Sequence, residues 1–416
     1  MTHPIRLDIA EREIDTGLTL LAVHNPGVPT FACAVSLDVR PGDEPDDAPG
    51  LLNLVGECLD EGTKSYDALE LAAAAERIGA IMEGNSRGGL VMCPAVAQKD
   101  AIELLREMVL EPEFPGREVR RVAAELMTEI KAEEDDPRAV AARRFRKEVY
   151  GAHPLGRPPQ GTLKSLGRLR PKDLRSFHDD WFRPAGGYVA AAGPDDPERT
   201  LDRLEKAFRR FKAKAPKHPA PPDVDLPALG RDAHLPMARE QVHVFLGHLG
   251  IRRTHPDFYV LSVMDHVLGT GPGFTSRCSR KLRDEQGLCY SVSAGITASA
   301  GEEPGTFTAY IGTSPEHRQR AIDGFLDEIR RIRQEPVGAQ ELQDVKDYLT
   351  GSFVFGLERN SNLAAYAIRA RRFGLGFDYM QRYPDIVRAI TVEQVREAAE
   401  RHLHPDKLVV VSAGAS

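Results

Sequence analysis

The sequence predicts an α+β fold of two homologous domains, each an antiparallel sheet with helices packed on one face. Three observations support this prediction. A segment of the first half recurs in the second half, a proline-rich stretch lies between the copies, and each half alternates strand-like with helix-like runs. With 416 residues, the chain also exceeds the size of a single hydrophobic core.

The recurring segment defines the repeat. Residues 169–193, LRPKDLRSFHDDWFRPAGGYVAAAG, match residues 390–414, ITVEQVREAAERHLHPDKLVVVSAG, without a gap. Each copy predicts an amphipathic helix, a proline that ends it, and a short apolar strand. A second pair, EVRRVAAEL (118–126) and ELQDVKDYL (341–349), shares acidic and apolar positions at nearly the same separation. The chain therefore contains one domain twice.

The stretch KAKAPKHPAPPDVDLPALG (212–230) predicts the domain boundary. Its prolines oppose helix and sheet, so we expect a semi-rigid extended connector. Residues 1–211 then form an N-terminal domain, and residues 231–416 form a C-terminal domain. Runs with period two, such as FACAVSLDV and GTFTAYIGT, predict strands, and DALELAAAAERIGA and HRQRAIDGFLDEIRRIRQ predict helices.

Composition excludes several functions. A net charge of −7 gives no general attraction to nucleic acid or anionic membranes. Five cysteines without C-x-x-C spacing argue against both a disulfide framework and a thiolate zinc site. The start of the chain lacks the pattern of a signal peptide, and no apolar run is long enough to cross a bilayer. We expect a cytoplasmic protein without nucleic-acid or membrane partners.

The segment NLVGECLDEGT (53–63) predicts a short helix with a functional face. Asn53, Gly56, Glu57 and Asp60 fall at helical spacing, and Gly62-Thr63 ends the run. Polar residues that share one face of an otherwise apolar helix indicate a candidate site.

This segment and three others resemble the M16 family of zinc peptidases, the pitrilysin and insulinase-like group that includes the mitochondrial processing peptidase. In that family H-x-x-E-H precedes a Gly-Thr pair; its two histidines bind zinc and its glutamate activates water. The other segments are EEDDP (133–137), HPLGRPPQGT (153–162) and SRKLRDEQGLCYSV (279–292). The resemblance extends over nearly the whole chain.

The resemblance implies that the metal ligands have been replaced. Asn53 stands in place of the first histidine, Gly56 in place of the catalytic glutamate, and Glu57 in place of the second histidine. The family's distal carboxylate ligand falls near Glu129, with Glu125 and Glu133 as alternatives about one helical turn away.

Two further alternatives concern this helix. Shifting the motif by one residue places Leu54 and Cys58 at the ligand positions, and leucine cannot bind zinc. An oxygen set of Asn53, Glu57 and Glu129 would suit magnesium or calcium, although three ligands without a rigid cage bind weakly. Since glycine also offers no proton acceptor at position 56, we expect no metal and no hydrolysis by this chain alone.

The second half retains a different part of the family's site. The segment KLRDEQGLCYSV (281–292) predicts a helix that closes at Gly287 and a strand that starts at Leu288. In the family, an arginine and a tyrosine at the spacing of Arg283 and Tyr290 bind the carbonyl group of the substrate peptide. Guanidinium and phenol groups are suitable donors for that role.

No other catalytic set emerges from the sequence. His402 and His404, two residues apart, predict a solvated pair, whereas His243 and His248 lie in an apolar strand and predict partnered core histidines.

The resemblance implies a non-catalytic, substrate-binding subunit of a two-subunit metallopeptidase that acts on unfolded peptides. Its homologous partner would supply H-x-x-E-H and zinc, while this chain would bind no cofactor. The alternative is a scaffold protein without a role in proteolysis. A third hypothesis is an enzyme of divergent chemistry centred on Glu57 and Glu129.

Overall fold

A computed structural model of the chain describes residues 7–211, 215–224, 230–272 and 275–415. The chain divides into two compact units. Unit 1 takes its described residues from Met1–Ile130, Pro158–Pro221 and Val354–Gln381. Unit 2 takes its described residues from Lys131–Arg157, Pro222–Phe353 and Arg382–Ser416.

The described part of unit 1 contains a six-stranded sheet in the order β1-β2-β6-β3-β5-β4. Neighbouring strands are antiparallel except for β2 and β6, which are parallel. The strands are β1 (Asp8–Glu13), β2 (Thr19–His24), β3 (Thr30–Ser36), β4 (Ile81–Asn85), β5 (Gly88–Pro94) and β6 (Tyr188–Gly193).

Most helices of unit 1 belong to the layer on one face of this sheet. The core there contains Phe31, Cys33 and Val35, alternate residues of β3. The helices of unit 1 are α1 (Leu51–Glu57), α2 (Ala68–Arg77), α3 (Gln98–Leu110), α4 (Gly116–Glu134, which continues beyond the unit), α6 (Leu163–Leu166), α7 (Pro171–Trp181), α8 (Pro197–Phe208) and α12 (Asn360–Arg372).

Helix α12 lies on the opposite face of the sheet. Its Arg372 donates a hydrogen bond to Ser36 Oγ at 3.0 Å, and its guanidinium carbon lies 5.2 Å from the centre of the Tyr188 ring. Ser36 and Tyr188 are cross-strand neighbours, and Ser36 alternates with the core-facing Val35. Unit 1 therefore has helices on both faces.

The described part of unit 2 contains a five-stranded sheet in the order β7-β11-β8-β10-β9. Here β11 and β7 are the parallel pair. The strands are β7 (Arg231–Pro236), β8 (Val242–Leu249), β9 (Val292–Gly295), β10 (Thr306–Thr313) and β11 (Val409–Gly414). The helices of unit 2 are α5 (Pro137–Tyr150), α9 (Phe258–Asp265), α10 (Arg318–Gln334), α11 (Ala339–Ser352) and α14 (Val392–His402); α13 (Tyr379–Arg388) begins in unit 1.

The predicted repeat is confirmed by the element bounds. Helices α7 and α14 each have 11 residues, and the strands that follow them, β6 and β11, each have six. Both strands pair with a parallel and an antiparallel neighbour, as equivalent strands should. The α+β fold with two homologous sheets is thus confirmed.

In both repeats, the helix that follows the segment at 118–126 or 341–349 packs on the sheet of the other repeat. Helix α5 follows α4 but packs on β8 and β11 of unit 2, whereas α12 follows α11 but packs on β2, β3 and β6 of unit 1. Sequence periodicity carries no information about which of two homologous sheets a helix covers.

The connector at 212–230 falls partly outside the described residues, because the structure does not describe 212–214 and 225–229. The division into 1–211 and 231–416 stays a prediction. Throughout the described part of the chain, every helix is too short or too polar to span a membrane.

Candidate functional site

Helix α1 carries the predicted metal-site positions, and it is shorter than the sequence indicated. The Glu44 carboxylate accepts hydrogen bonds from the backbone N–H groups of Gly50 and Leu52, at 3.0 and 2.8 Å, which satisfies the start of the helix. The helix ends at Glu57. Asp60 therefore lies in the following turn, and the prediction that it shares one helical face with Asn53 and Glu57 is wrong.

Gly56 lies where the hairpin of β4 and β5 crosses helix α1. A Cβ atom at Gly56 would approach the Asn85 carbonyl carbon to 2.5 Å and the Ser86 nitrogen to 2.6 Å. In the same contact, a Cβ atom at Gly84 would lie 2.4 Å from the Gly56 oxygen. Both obstacles are backbone, so no rotamer change can relieve them. The hairpin thus occupies the space that a side chain at position 56 would need.

The remaining positions of α1 divide between core and surface. Leu54, Val55 and Cys58 are fully buried in the core of unit 1, whereas Asn53 is half-buried and Glu57 is exposed. Burial raises the pKa of the Cys58 thiol far above its ordinary value, so the thiolate that a metal needs is disfavoured. Because Leu54 offers no ligand atom and both residues lie in the core, the structure gives no support to the shifted motif with Leu54 and Cys58 as ligands.

Glu129 on α4 is the acidic residue that acts on Glu57. Although the residue as a whole is exposed, partial desolvation of its carboxyl group raises the pKa of Glu57, and the Glu129 carboxylate adds to that rise. The two alternatives are engaged elsewhere: Glu125 accepts from Arg121 at 2.9 Å, and Glu133 accepts from Arg143 at 3.1 Å. Of the three candidates, Glu129 is the one whose charge acts on Glu57, and its assignment as the distal ligand position stays a prediction.

Further acidic groups surround this position. Burial, together with the charges of Glu61 and Glu57, raises the pKa of Asp60 to about 6. The Arg121 guanidinium forms ion pairs with Glu61 and, at 2.8 Å, with Glu118. The region is a network of carboxylates that one arginine partly neutralises.

These residues do not fit the zinc of the M16 family. Glycine supplies no general base, and the hairpin backbone leaves no room for one. Asn53 offers a neutral amide in place of an imidazole, and Glu57 shares its surroundings with another carboxylate. No catalytic step can be derived for a metal at this position.

In unit 2, three side chains of the kinds that bind metal ions lie close together. Within the described ranges, His255, Asp257 and His402 form the one group of three His, Cys, Asp or Glu side chains whose ligand atoms lie within 4.8 Å of one another. Asp257 Oδ2 accepts from His402 Nε2 at 2.7 Å and from Arg401 at 3.1 Å, and the Asp257 N–H donates to His255 Nδ1. These contacts join the start of α9 to the end of α14.

The structure shows the surroundings of the two histidine pairs that the sequence singled out. His402 and His404 are half-buried and bonded, because the His404 N–H donates to His248 Nε2 at 3.1 Å, so the predicted solvated pair is wrong. His248 is buried and His243, which is half-buried, lies 3.0 Å from the Tyr310 hydroxyl, so the predicted core position is confirmed for His248 and the predicted partner for His243.

The second predicted site begins with Arg283, in a π-helical turn that spans Ser279–Glu285. Gly287 adopts a φ of 64°, its N–H donates to the Arg283 oxygen at 3.0 Å, and the Leu288 N–H donates to the Leu282 oxygen at 2.9 Å. This is a Schellman-type end. The prediction that the helix closes at Gly287 is confirmed.

The strand that follows starts later than predicted. The Leu288 N–H caps the helix, and the Leu288 oxygen accepts from Thr313 Oγ1 at 2.8 Å, so its backbone groups are not available for sheet pairing. Strand β9 begins at Val292, opposite Ile311. The start at Leu288 is therefore wrong, and Tyr290 lies in a bend before the strand.

Arg283 and Tyr290 are adjacent in space. The Arg283 guanidinium carbon lies 5.6 Å from the centre of the Tyr290 ring, and Arg283 Nε lies 4.0 Å from the Asp284 carboxylate. Tyr290 is 80% exposed, whereas the Arg283 side chain is 24% exposed. The pair therefore combines a largely covered guanidinium group, which lies near a carboxylate, with an accessible aromatic side chain.

The structure is a duplicated α+β protein, and its first half contains a short helix, α1, whose Gly56 packs against the β4–β5 hairpin. Family models match both halves: insulinase (peptidase family M16) matches residues 19–163, and the peptidase M16 inactive domain matches residues 168–349. The chain belongs to the M16 peptidase family.

Several known proteins are similar along most of their length. An uncharacterized zinc protease YmxG of Bacillus subtilis is 25% identical over 83% of this chain and 84% of its own. A protein named non-peptidase homolog YmxG of Helicobacter pylori is 23% identical over 85% of this chain and 82% of its own. The crystal structure of a peptidase M16 inactive domain from Pseudomonas fluorescens superposes with a TM-score of 0.91, at 23% identity, over 99% of both chains.

Proposed function

We propose that this chain is the non-catalytic, substrate-binding subunit of a two-subunit M16-type metallopeptidase that acts on unfolded peptides. Its partner is a homologous subunit that supplies H-x-x-E-H and zinc. One observation carries the proposal: the backbone of Asn85 and Ser86 fills the space beside Gly56 that a catalytic glutamate would need. A chain packed in this way cannot carry the catalytic glutamate at position 56, so a metallopeptidase that contains it takes this group from the partner subunit.

The accessible Tyr290 supports a role in substrate binding. A large aromatic residue that is 80% exposed gains little from the protein interior, so its hydroxyl and ring are free to contact another molecule. Arg283 lies beside it with a largely covered side chain. Both groups donate hydrogen bonds of the kind that stabilise a carbonyl oxygen as negative charge develops on it.

Strand β4 supports binding of an extended peptide. Within the described residues, β4 pairs with β5 alone and forms one edge of the unit 1 sheet. Its residues alternate between exposed and half-buried, and Ile81 is 60% exposed. A peptide added as a further strand would be held by its backbone, which suits unfolded substrates of varied sequence.

The direct test uses Tyr290→Phe and Arg283→Ala in a heterodimer with an H-x-x-E-H homologue. Loss of one donor from a partly dry site costs on the order of 2–4 kcal/mol of transition-state stabilisation. We therefore expect kcat/KM for an unfolded peptide to fall about 10²-fold, with subunit association unchanged. Tyr290→Phe retains the ring and is the cleaner variant. Normal turnover at a normal melting temperature would remove Tyr290 from the mechanism.

The scaffold alternative has its own supporting observation. The 5.6 Å approach of Arg283 to the Tyr290 ring is an intramolecular cation–π contact, which requires no substrate. In that case both substitutions would weaken assembly or lower the melting temperature without a specific kinetic defect. The same heterodimer assay therefore separates the two functions.

A further inference from the structure

Unit 2 contains a cavity of about 580 Å³ between helix α5 and the sheet. Its floor includes Phe245 of β8 and Tyr310 of β10, which are cross-strand neighbours with ring centres 4.9 Å apart. Arg138 and Arg146 of α5 line its wall. The volume lies within the range of ordinary ligand sites, roughly 300–1,000 Å³.

The charged residues that line this cavity are both arginines, and the nearby Asp136 carboxylate acts on the Tyr310 hydroxyl from outside the lining. No aspartate or glutamate occurs among the described residues that line it. Among the ion pairs of the described residues, Arg143 pairs with Glu133 and Arg144 with Glu148, whereas none involves Arg138 or Arg146. Arg138 is instead placed over the Tyr310 ring, 4.5 Å from its centre. Two cations therefore line a floor that combines the Phe245 and Tyr310 rings with the hydroxyl groups of Thr306 and Thr308, and none of the described lining residues is an anionic partner.

Unit 1 contains a second cavity, of about 560 Å³, between helix α12 and the sheet. Arg87, Arg369 and Arg372 line it, together with apolar side chains that include Ile368 and Phe373. Among its described lining residues there is again no aspartate or glutamate. Arg372 is held in place by its bonds to Ser36.

The two cavities are related by the internal repeat. Helices α5 and α12 follow the repeated helices α4 and α11, and each crosses the sheet of its unit. Arg146 and Arg369 are both the tenth residue of their helices, and Phe145 and Ile368 both precede them. A cavity lined by arginines and by apolar side chains thus occurs twice, in a chain whose net charge is −7.

We propose that these two cavities bind acidic side chains of the peptide substrate. This inference rests on the proposed function, peptide binding, and specifies the substrate class as unfolded peptides in which aspartate or glutamate alternates with apolar residues. A guanidinium group binds a carboxylate through two parallel hydrogen bonds, and the aromatic and aliphatic floor accepts the adjoining apolar side chain. Arg146 and Arg369 are the specificity-determining residues.

The test measures binding of two fluorescent peptides to the full-length chain by anisotropy. One peptide alternates glutamate with apolar residues, and the other replaces each glutamate with glutamine at the same length. We expect the acidic peptide to bind about tenfold more tightly or better at 50 mM salt, with the advantage reduced at 300 mM. This comparison needs no variant, so folding defects cannot obscure it.

Arg146→Gln and Arg369→Gln should each remove most of the preference for the acidic peptide, and Arg146→Lys should keep part of it, because lysine retains the charge but not the paired donors. Arg330→Gln, on an exposed part of α10, is the matched control and should change nothing. Equal binding of both peptides would overturn the acidic preference while peptide binding stands. Failure of both peptides to bind would overturn the proposed function as well.

Discussion

At the residue scale, the decisive feature is the missing side chain of Gly56. A glycine inside a helix costs about 1 kcal/mol relative to alanine, so its presence calls for a packing reason. That reason is the close approach of the β4–β5 hairpin, which leaves no space for a Cβ atom. Gly56 is thus a backbone-packing position, at the place where the resemblance to the family puts the catalytic base.

Gly56→Ala should destabilise the protein by about 1–3 kcal/mol, because the added methyl group meets backbone atoms that cannot rotate away. Gly351→Ala is the matched control. It also lies in a helix, α11, but a Cβ atom there meets nothing within 4 Å. The control should be neutral or stabilising by up to about 1 kcal/mol. Chemical denaturation of both variants measures the difference, and equal stabilities would refute the packing argument.

Restoring the family motif should fail for the same reason. In the combined variant Asn53→His, Gly56→Glu and Glu57→His, the glutamate cannot enter the space that Asn85 and Ser86 occupy. We expect a less stable protein that hydrolyses no unfolded peptide. Elemental analysis and a peptide assay test this expectation. A stable variant with one zinc per chain and clear hydrolysis would show that the hairpin yields readily.

At the element scale, the contact between strand β8 and the end of α14 depends on a neutral histidine. His248 is 1% exposed, lies 2.8 Å from the Leu249 oxygen through Nδ1, and accepts from the His404 N–H through Nε2. Acceptance at Nε2 places the ring proton on Nδ1. Burial is the main cause that lowers the pKa of His248 to about 4.

A lowered histidine pKa makes stability fall in acid. Between pH 6.5 and 4 the unfolded chain binds a proton that the folded chain does not. The free energy of unfolding therefore decreases as the pH falls through this window. Relative to His248→Gln, the wild type should lose about 2 kcal/mol more between pH 7.5 and 5. Urea unfolding at both pH values measures this. Parallel losses in the two proteins would contradict the assignment.

Elements with a local signal were predictable from the sequence. The repeated helix and strand at 169–193 and 390–414 have matching bounds because amphipathic period, proline and terminal glycine are all local. The end of the helix at Gly287 was predictable for the same reason. The start of β9 was not, since the Thr313 side chain, distant in sequence, engages the backbone of Leu288.

The candidate site also has features with a local sequence signal and features that depend on residues distant in sequence. The resemblance predicted changed ligand and base positions at Asn53, Gly56 and Glu57, but the hairpin that packs against Gly56 comes from residues about 30 positions later. The two arginine-lined cavities had no signal at all. They depend on α5 and α12 each packing on the sheet of the other repeat, which hydrophobic periodicity cannot specify.

At the scale of the whole molecule, the duplicated fold of the family is retained. Both halves keep the M16 architecture, with matching sheets and matching helices. Fold and catalysis have different requirements, because a fold tolerates changes at a few polar positions that abolish chemistry. The proposed division of labour assigns peptide binding to this chain and zinc chemistry to its partner.

The central claim is tested most directly by combining the purified chain with a homologous subunit that carries H-x-x-E-H. Hydrolysis of an unfolded peptide and zinc content are measured for each subunit alone and for the mixture. We predict no zinc and no activity in this chain, one zinc per heterodimer, and a rate in the mixture well above that of the partner alone. A partner that is equally active alone, or stoichiometric zinc in this chain, would contradict the claim.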